Sequence, residues 1–272
     1  MTKIITTINN NIPNEDICFI PTMGSLHEGH LSLIDIGKKT KLKTLVSIFL
    51  NRRQFNDIKD FDNYPTQLDT DIQLLEDRKV DYVFVPQEEY IYPSKSIETV
   101  SPNEIGGLLE GSSRPGHFEG VLTVVKRLFE LIQPNYSVFG KKDAQQLFLI
   151  KNMIKEFNLN IHILEGDIIR DKNGLALSSR NSHLSLNAKL KAANIYKLLL
   201  KTADKIILNN DYEEALQEGA NYCIKNDIVL DYLELVDVEN FKSPNKYSKK
   251  LKLLTAAYIE NVRLIDNLDI KL

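Results

Sequence analysis

Residues 17–30 read Ile-Cys-Phe-Ile-Pro-Thr-Met-Gly-Ser-Leu-His-Glu-Gly-His, an apolar run followed by a loop holding two glycines and two histidines. Ile17–Ile20, ended by Pro21, has the length and composition of a buried strand, and Leu31–Lys39 has the apolar spacing of a helix. Pro21–His30 therefore joins a first strand to a first helix. In an open α/β sheet, ligands bind beyond the carboxyl ends of strands, which is where this loop falls. Gly24 allows close backbone approach, and Gly29 lets a neighbour pack tightly on the helix start. The helix start presents unpaired N–H groups and partial positive charge, suited to phosphate. His27 and His30, three apart on one helical turn, share a face. Both can donate to phosphate oxygens or take up a proton as negative charge builds there.

Outward from this loop, strand-like and helix-like segments alternate. Thr44–Leu50, Val80–Val85 (stopped by Pro86), Tyr136–Phe139 and Ile161–Leu164 read as strands. Thr66–Arg78, Val121–Ile132 and Ala144–Phe157 read as helices. Such alternation implies βαβ units, a mostly parallel sheet and right-handed crossovers. The pattern changes near Asp171–Asn173, where Lys-Asn-Gly signals a turn. Helical stretches at Ala188–Ile207 and Tyr212–Lys225 precede strand-like runs at Val229–Val236, Leu251–Ile259 and Val262–Asp266. The expectation is an α/β protein with a Rossmann-like parallel-sheet domain over residues 1–170 and a smaller α+β domain over 171–272.

Composition sets the class. The 272 residues are 43% hydrophobic and 26% charged, enough apolar material for a core, and disorder or a disulfide-stapled miniprotein is excluded. A net charge of −3 gives no basic field for nucleic acid. The tract Lys242, Lys246, Lys249, Lys250 and Lys252 reads as a solvated loop. Cys18 and Cys223 are too few for a disulfide framework, and Cys18 reads as a small core residue. No apolar run reaches membrane-spanning length, and Met1–Asn14 lacks a signal-peptide core. A cytoplasmic protein without membrane or nucleic-acid partners is expected.

Metal binding is the competing reading of the two histidines. His27-Glu28-Gly29-His30 is one residue short of the i, i+4 spacing that a helical zinc site needs. Only His117, His162, His183 and two scattered cysteines remain to complete a site, so phosphate is the favoured partner.

The wider string Pro21-Thr22-Met23-Gly24-Ser25-Leu26-His27-Glu28-Gly29-His30 resembles the His-x-Gly-His signature region of the nucleotidylyltransferase superfamily, and within it the pantothenate synthetase (pantoate–β-alanine ligase) family. Four further stretches resemble that family in the same order: Ser47–Phe55 (SIFLNRRQF), Glu110–Phe118 (EGSSRPGHF), Gly140–Gln146 (GKKDAQQ) and Leu177–Asn181 (LSSRN). Beyond residue 181 the likeness rests mainly on length and on Arg263-Leu264-Ile265-Asp266-Asn267.

The resemblance implies ATP-dependent condensation of pantoate with β-alanine through an acyl adenylate, with release of AMP and pyrophosphate. It implies that Met23, Gly24, Ser25, Leu26, His27, Glu28, Gly29 and His30 line the ATP site, with His30 as proton donor and His27 beside it on the transferring phosphate. Lys142 would pair with phosphate oxygens. Gly140, Lys141, Asp143, Ile169 and Leu177 would bind the nucleotide, and Asp143 could equally cap the following helix. Ser178, Ser179 and Arg180 would close over the phosphates, with Arg180 on the leaving pyrophosphate. Gln54 and Gln146 would hold pantoate, helped by Asn51, since an amide both donates and accepts. Glu110 and Arg114 are read equally as site-lining or as a structural pair, and His117 as structural. Magnesium would arrive with ATP; Asp69 and Asp71 are candidate ligands, with helix-face carboxylates the plainer reading. A homodimer formed through the first domain is the family's habit.

Two departures stand out. Arg52 replaces the family's proline after Asn51, which frees φ and restores an N–H, so a looser turn is expected. Lys141 replaces a glutamate before Lys142. Other readings of the whole are a different small-molecule nucleotidylyltransferase, which has no use for Gln54 with Gln146, and a nucleotide-binding module without turnover.

Overall fold

The computed structural model describes residues 2–8, 11–12, 15–93, 97–209 and 211–271. The chain divides into two compact units: Met1–Lys141 with Gln145–Asp167, and Lys142–Ala144 with Ile168–Leu272.

The first unit is built on a six-stranded parallel sheet of β1 (Lys3–Ile5), β2 (Ile17–Thr22), β3 (Lys43–Ile48), β4 (Tyr82–Phe84), β5 (Tyr136–Gly140) and β6 (His162–Gly166), in the order β1-β4-β3-β2-β5-β6. Its main helices are α1 (Glu28–Lys39), α3 (Leu68–Asp77), α6 (His117–Ile132) and α7 (from Ala144 to Glu156); α2 (Ile58–Asp62), α4 (Glu88–Ile91) and α5 (Glu110–Ser113) are short. Cores lie on both faces of the sheet. Phe19, Leu45 and Phe84 pack with Val121, Val125 and Phe129 of α6, while Cys18, Ile20 and Val46 pack with Leu31, Ile34 and Leu75. The edge strand β1 carries no periodic signal in three residues, which is why sequence reading missed it.

The sheet reverses direction between β2 and β5, because β3 and β4 build outward on one side and β5 and β6 on the other. That is the place where doubly wound sheets bind ligands. One residue opens it. Pro21, read from sequence as the end of the strand, lies inside β2 and pairs in register with Ser47 of β3. Thr22 faces β3, where its carbonyl accepts from the Phe49 N–H, so alternation turns Pro21 toward β5. Proline has no N–H to donate there. The β2–β5 ladder accordingly covers only Cys18–Phe19 against Tyr136–Ser137, although β2 continues to Thr22 and β5 to Gly140. Beyond those pairs the two carboxyl ends are left unjoined.

The second unit packs α8 (Leu186–Asn209) and α9 (Tyr212–Lys225) on an antiparallel sheet of β7 (Val229–Asp237), β8 (Lys250–Ile259) and β9 (Val262–Lys271). Its core joins Leu198, Leu199 and Ile206 to Leu233, Leu253 and Ala257. The lysine tract is not wholly a solvated loop. Lys250 and Lys252 lie in β8, and Lys252 is buried, with its ammonium on Asn267 Oδ1 and the Asp269 carboxylate. Alternation puts Lys252 on the face of the sheet opposite the core residues Leu251 and Leu253, and its burial there is tolerated because a carboxylate meets it.

Candidate active site

The loop after β2 is held from below by one carboxylate. Thr22 Oγ1 donates to Ser47 O at 2.7 Å and accepts the Gly24 N–H at 3.2 Å. Gly24 has φ +84°, and a Cβ there would meet Asp71 Oδ2 at 3.0 Å. Ser25, a residue with a side chain, is also left-handed at φ +52°. Asp71 of α3 compensates: its two oxygens accept the Ser25 and Leu26 N–H groups, each at 2.8 Å, and the residue is only 1% exposed. It is therefore not a solvent-face carboxylate. Both oxygens are turned to the backbone, as a buried charge requires.

The same loop starts α1 with a reciprocal cap. His27 Nδ1 accepts the Gly29 N–H at 3.1 Å, and His30 Nδ1 accepts the His27 N–H at 3.3 Å. The ring centroids are 4.1 Å apart. A ring nitrogen that accepts carries no proton, so in this arrangement each imidazole is neutral and bears its hydrogen on Nε2. That modifies the expectation drawn from sequence. Both side chains can donate from Nε2, but charging either ring would protonate a capping nitrogen and break the cap.

The second cluster surrounds Gln54. Asn51 caps and Gln54 ends a 3-10 turn, Arg52–Gln54, and the two are 1% and 8% exposed. Asn51 Nδ2 donates to Gln54 Oε1 and to Gly120 O, both at 3.1 Å. Its Oδ1 accepts the Tyr92 hydroxyl at 2.9 Å and the Arg53 N–H at 3.3 Å. Gln54 Nε2 donates to Met23 Sδ at 2.9 Å, joining this cluster to the loop after β2. His117 Nε2 lies 3.1 Å from Arg114 Nη1, and its Nδ1 lies 2.8 Å from Gln54 O. Guanidinium only donates, so Nε2 accepts and Nδ1 donates to the Gln54 carbonyl. Gly120, on the first turns of α6, passes so close that a Cβ would stand 2.3 Å from Arg53 O. Gly120 and Tyr92 were not found by sequence reading; a lone glycine inside the most apolar helix was the available signal for the first.

Arg52, expected to loosen the turn, is tied into it. Its Nη1 donates to Phe55 O at 2.8 Å and its guanidinium lies 5.3 Å from the Phe61 ring. Phe61 and Tyr64 in turn meet Phe55 edge-on at 5.4 and 5.8 Å. The stretch 56–65 thus contains α2, capped by Asp57, and two members of an aromatic cluster.

Gly140 ends β5, and Lys141 pairs with Asp167 at 2.6 Å. Gln145 is buried and fixes the carbonyls of Ile105 and Leu108 and the Glu110 N–H. Gln146, its half-buried neighbour on α7, follows in the same unit as Gln54.

The remaining candidates belong to the second unit. Asn267 Nδ2 donates to Lys142 O at 2.9 Å, and Asp143 is exposed. Ile169 O accepts the Leu177 N–H at 2.9 Å across a hairpin that turns at Gly174. Arg170 locks that hairpin with a two-pronged pair to buried Asp266, at 2.5 and 2.8 Å, and lies 3.7 Å from the Tyr196 ring. Ser178 Oγ accepts the Arg180 N–H at 3.3 Å and so caps the 3-10 turn Ser179–His183. Asn181 Nδ2 ties the turn to Ala176 O at 3.0 Å. Asn267 and Asp266, neighbours in the closing family-like stretch, thus hold Lys142 O and Arg170 from one strand.

A family model described as Pantoate-beta-alanine ligase matches residues 1–269. A pantothenate synthetase of Vesicomyosocius okutanii is 44% identical over 93% of this chain and 89% of its own length. One from Ruthia magnifica is 42% identical over 99% and 97%. Among solved structures, a pantothenate synthetase of Thermus thermophilus aligns at TM-score 0.92 and 34% identity, covering 98% of this chain and 99% of its own. A pantoate–β-alanine ligase of Francisella tularensis, complexed with β-γ ATP and β-alanine, aligns at TM-score 0.81 and 37% identity over 98% and 97%.

Proposed function

The chain belongs to the pantoate–β-alanine ligase family, and from that premise we propose how its residues divide the ATP-dependent condensation of pantoate with β-alanine. A carboxylate is a poor electrophile at neutral pH. Its oxygen forms a bond to the α-phosphorus of ATP, the bond to the β-phosphate oxygen breaks, and pyrophosphate leaves. The amine of β-alanine then bonds the acyl carbon, AMP departs with its oxygen, and the amine gives up a proton. The protein supplies no covalent nucleophile, so positioning and charge stabilisation carry the rate.

In this reading His27 and His30 donate from Nε2 to oxygens of the transferring phosphate. The observation that carries it is the reciprocal cap, which fixes both donors on one helix start. Lys142 and Arg180 balance charge on the phosphates, and Gly140, Lys141, Asp143, Ile169, Leu177, Ser178 and Ser179 line the nucleotide. Gln54 and Gln146 hold pantoate. Asn51 acts on pantoate through Gln54, because its own donors and acceptor are taken up by protein groups. Residues 1–170 bind ATP and pantoate, and residues 171–272 form the lid that carries Ser178–Arg180.

Magnesium enters with the nucleotide. Among the described residues no group of three or more His, Cys, Asp or Glu is placed to hold a metal ion, and Asp71 spends both oxygens on amides. That donor set fits an ion carried by phosphate and water oxygens, which neutralises charge on the phosphates when bound. The remaining expectations are a cytoplasmic homodimer without nucleic-acid or membrane partners. No helix of the described residues is long and apolar enough to cross a membrane.

The test is turnover with ATP and magnesium, following AMP by chromatography and pantothenate by mass, with pantoate and β-alanine omitted in turn. Pantothenate formed one-for-one with AMP, only when both are present, is the expected result. Bound ATP without AMP release would sink the assignment.

A further inference from the structure

Hydrogen-bond polarity around Gln54 can be followed atom by atom without ambiguity. Gly120 O only accepts, so the Asn51 atom facing it at 3.1 Å is the amide nitrogen. The Arg53 N–H only donates, so the Asn51 atom facing it at 3.3 Å is the oxygen. Tyr92, 2.9 Å from that same oxygen, must then be the donor. Asn51 has one N–H left, and it points at Gln54 at 3.1 Å, so Gln54 must answer with its carbonyl Oε1. Its Nε2 is thereby turned the other way, toward Met23 Sδ at 2.9 Å. An NH2 group has two hydrogens, and among the described residues Nε2 has no second partner.

We propose that the Tyr92 hydroxyl is a positioning group that locks Asn51 and, through it, Gln54, so that Gln54 offers an N–H and not a carbonyl to pantoate. The proposal rests on Gln54 as the pantoate residue. Its consequence is chemical: Gln54 recognises an oxygen acceptor of the substrate, either its carboxylate or a hydroxyl lone pair. Tyr92 is built for the task. It is buried, with the Arg53 guanidinium 3.9 Å from its ring. Burial pushes its phenol up to about 12, partly offset by Arg53, so the hydroxyl remains a donor across the working pH range. Without it, the Asn51 oxygen keeps only the longer Arg53 contact, and the amide, still oriented by Gly120 O and the Arg53 N–H, is held less tightly.

The test is a double-mutant cycle of Tyr92→Phe and Gln54→Ala, read as KM for pantoate, KM for ATP and kcat. Tyr92→Phe alone should raise the KM for pantoate about tenfold, the effect of one buried hydrogen bond, and leave the KM for ATP unchanged. In the Gln54→Ala background the same change should do nothing further to pantoate. Additive effects, or a Tyr92→Phe enzyme that is merely less stable with an unchanged KM for pantoate, would overturn the relay. If Gln54→Ala leaves the KM for pantoate unchanged, the role of Gln54 fails instead. The side-chain amide resonances of Asn51 and Gln54 then decide the lock itself: both shift in Tyr92→Phe if it holds, and neither does if it is wrong.

Discussion

Gly120→Ala puts the seam between α6 and the Arg52–Gln54 turn under direct load. A Cβ on Gly120 would stand 2.3 Å from Arg53 O, 2.5 Å from Arg53 C and 2.7 Å from Gln54 N. Carbon atoms in contact settle near 3.5 Å, so the turn and the helix must separate by about 1 Å. Backbone lies on both sides, so no side chain can swing away to absorb it. Overpacking of this kind costs about 1–3 kcal/mol in stability. The functional loss should be larger. The displaced turn carries Gln54, and the same separation stretches the Asn51 Nδ2 to Gly120 O bond, now 3.1 Å. A misplacement of about 1 Å can cost on the order of a hundredfold in rate. The assay is steady-state formation of pantothenate with pantoate varied and ATP and β-alanine saturating, on protein whose circular dichroism matches wild type. The expected result is a fall of about a hundredfold in kcat/KM for pantoate, with a much smaller change in the KM for ATP. A folded Gly120→Ala enzyme within about twofold of wild type for pantoate would refute the reasoning.

Asp71→Asn keeps the shape but turns one amide nitrogen onto a backbone N–H, and removes a charge-assisted bond of about 1.5–3 kcal/mol. The KM for ATP should rise about 10- to 100-fold, and an unchanged KM would show that Ser25 and Leu26 hold their conformation unaided. Burial pushes the thiols of Cys18 and Cys223 up to about 11, so both should resist alkylation at pH 8 in the native protein and react once it is unfolded; fast native labelling would contradict the packing of either core. For Asp81, burial raises the carboxyl, but the Thr44 N–H, the Lys43 ammonium and the Thr44 hydroxyl outweigh it and hold it below its ordinary 3.8. A lowered folded value means stability present at neutral pH and lost as pH falls below 3.8. Melting temperature against pH should fall less steeply in acid for Asp81→Asn, and an unchanged slope would remove Asp81 from the account.

The doubly wound sheet was legible because its strands are short apolar runs separated by helices of strong 3.6-residue periodicity, and α6 is the clearest of them. Where sequence reading slipped, a tertiary partner decided. Pro21 reads as a strand end when only its own residue type is considered. In the sheet its missing N–H faces the one side that is opening, and β3 keeps pairing on the other. Lys252 reads as solvent-loving until its register in β8 sets it opposite Asp269 on the sheet face away from Leu251 and Leu253.

The candidate site divides along the same line. The residues proposed to meet substrate could be nominated from sequence because substrate chemistry restricts their type: imidazoles at a helix start, amides for a hydroxy acid, cations for phosphates. Residues that aim them could not, because their partners lie far off in sequence. Asp71 grips amides forty-six and forty-five positions away. Tyr92 reaches Asn51 across forty-one, and His117 reaches Gln54 across sixty-three. A carboxylate, a phenol or a glycine in those places has many uses, and only the register of the folded sheet selects one. The positioning residues are therefore where substitution should most often surprise. Gly120→Ala and Tyr92→Phe each alter a group hydrogen-bonded to Asn51, and both converge on the single amide of Gln54.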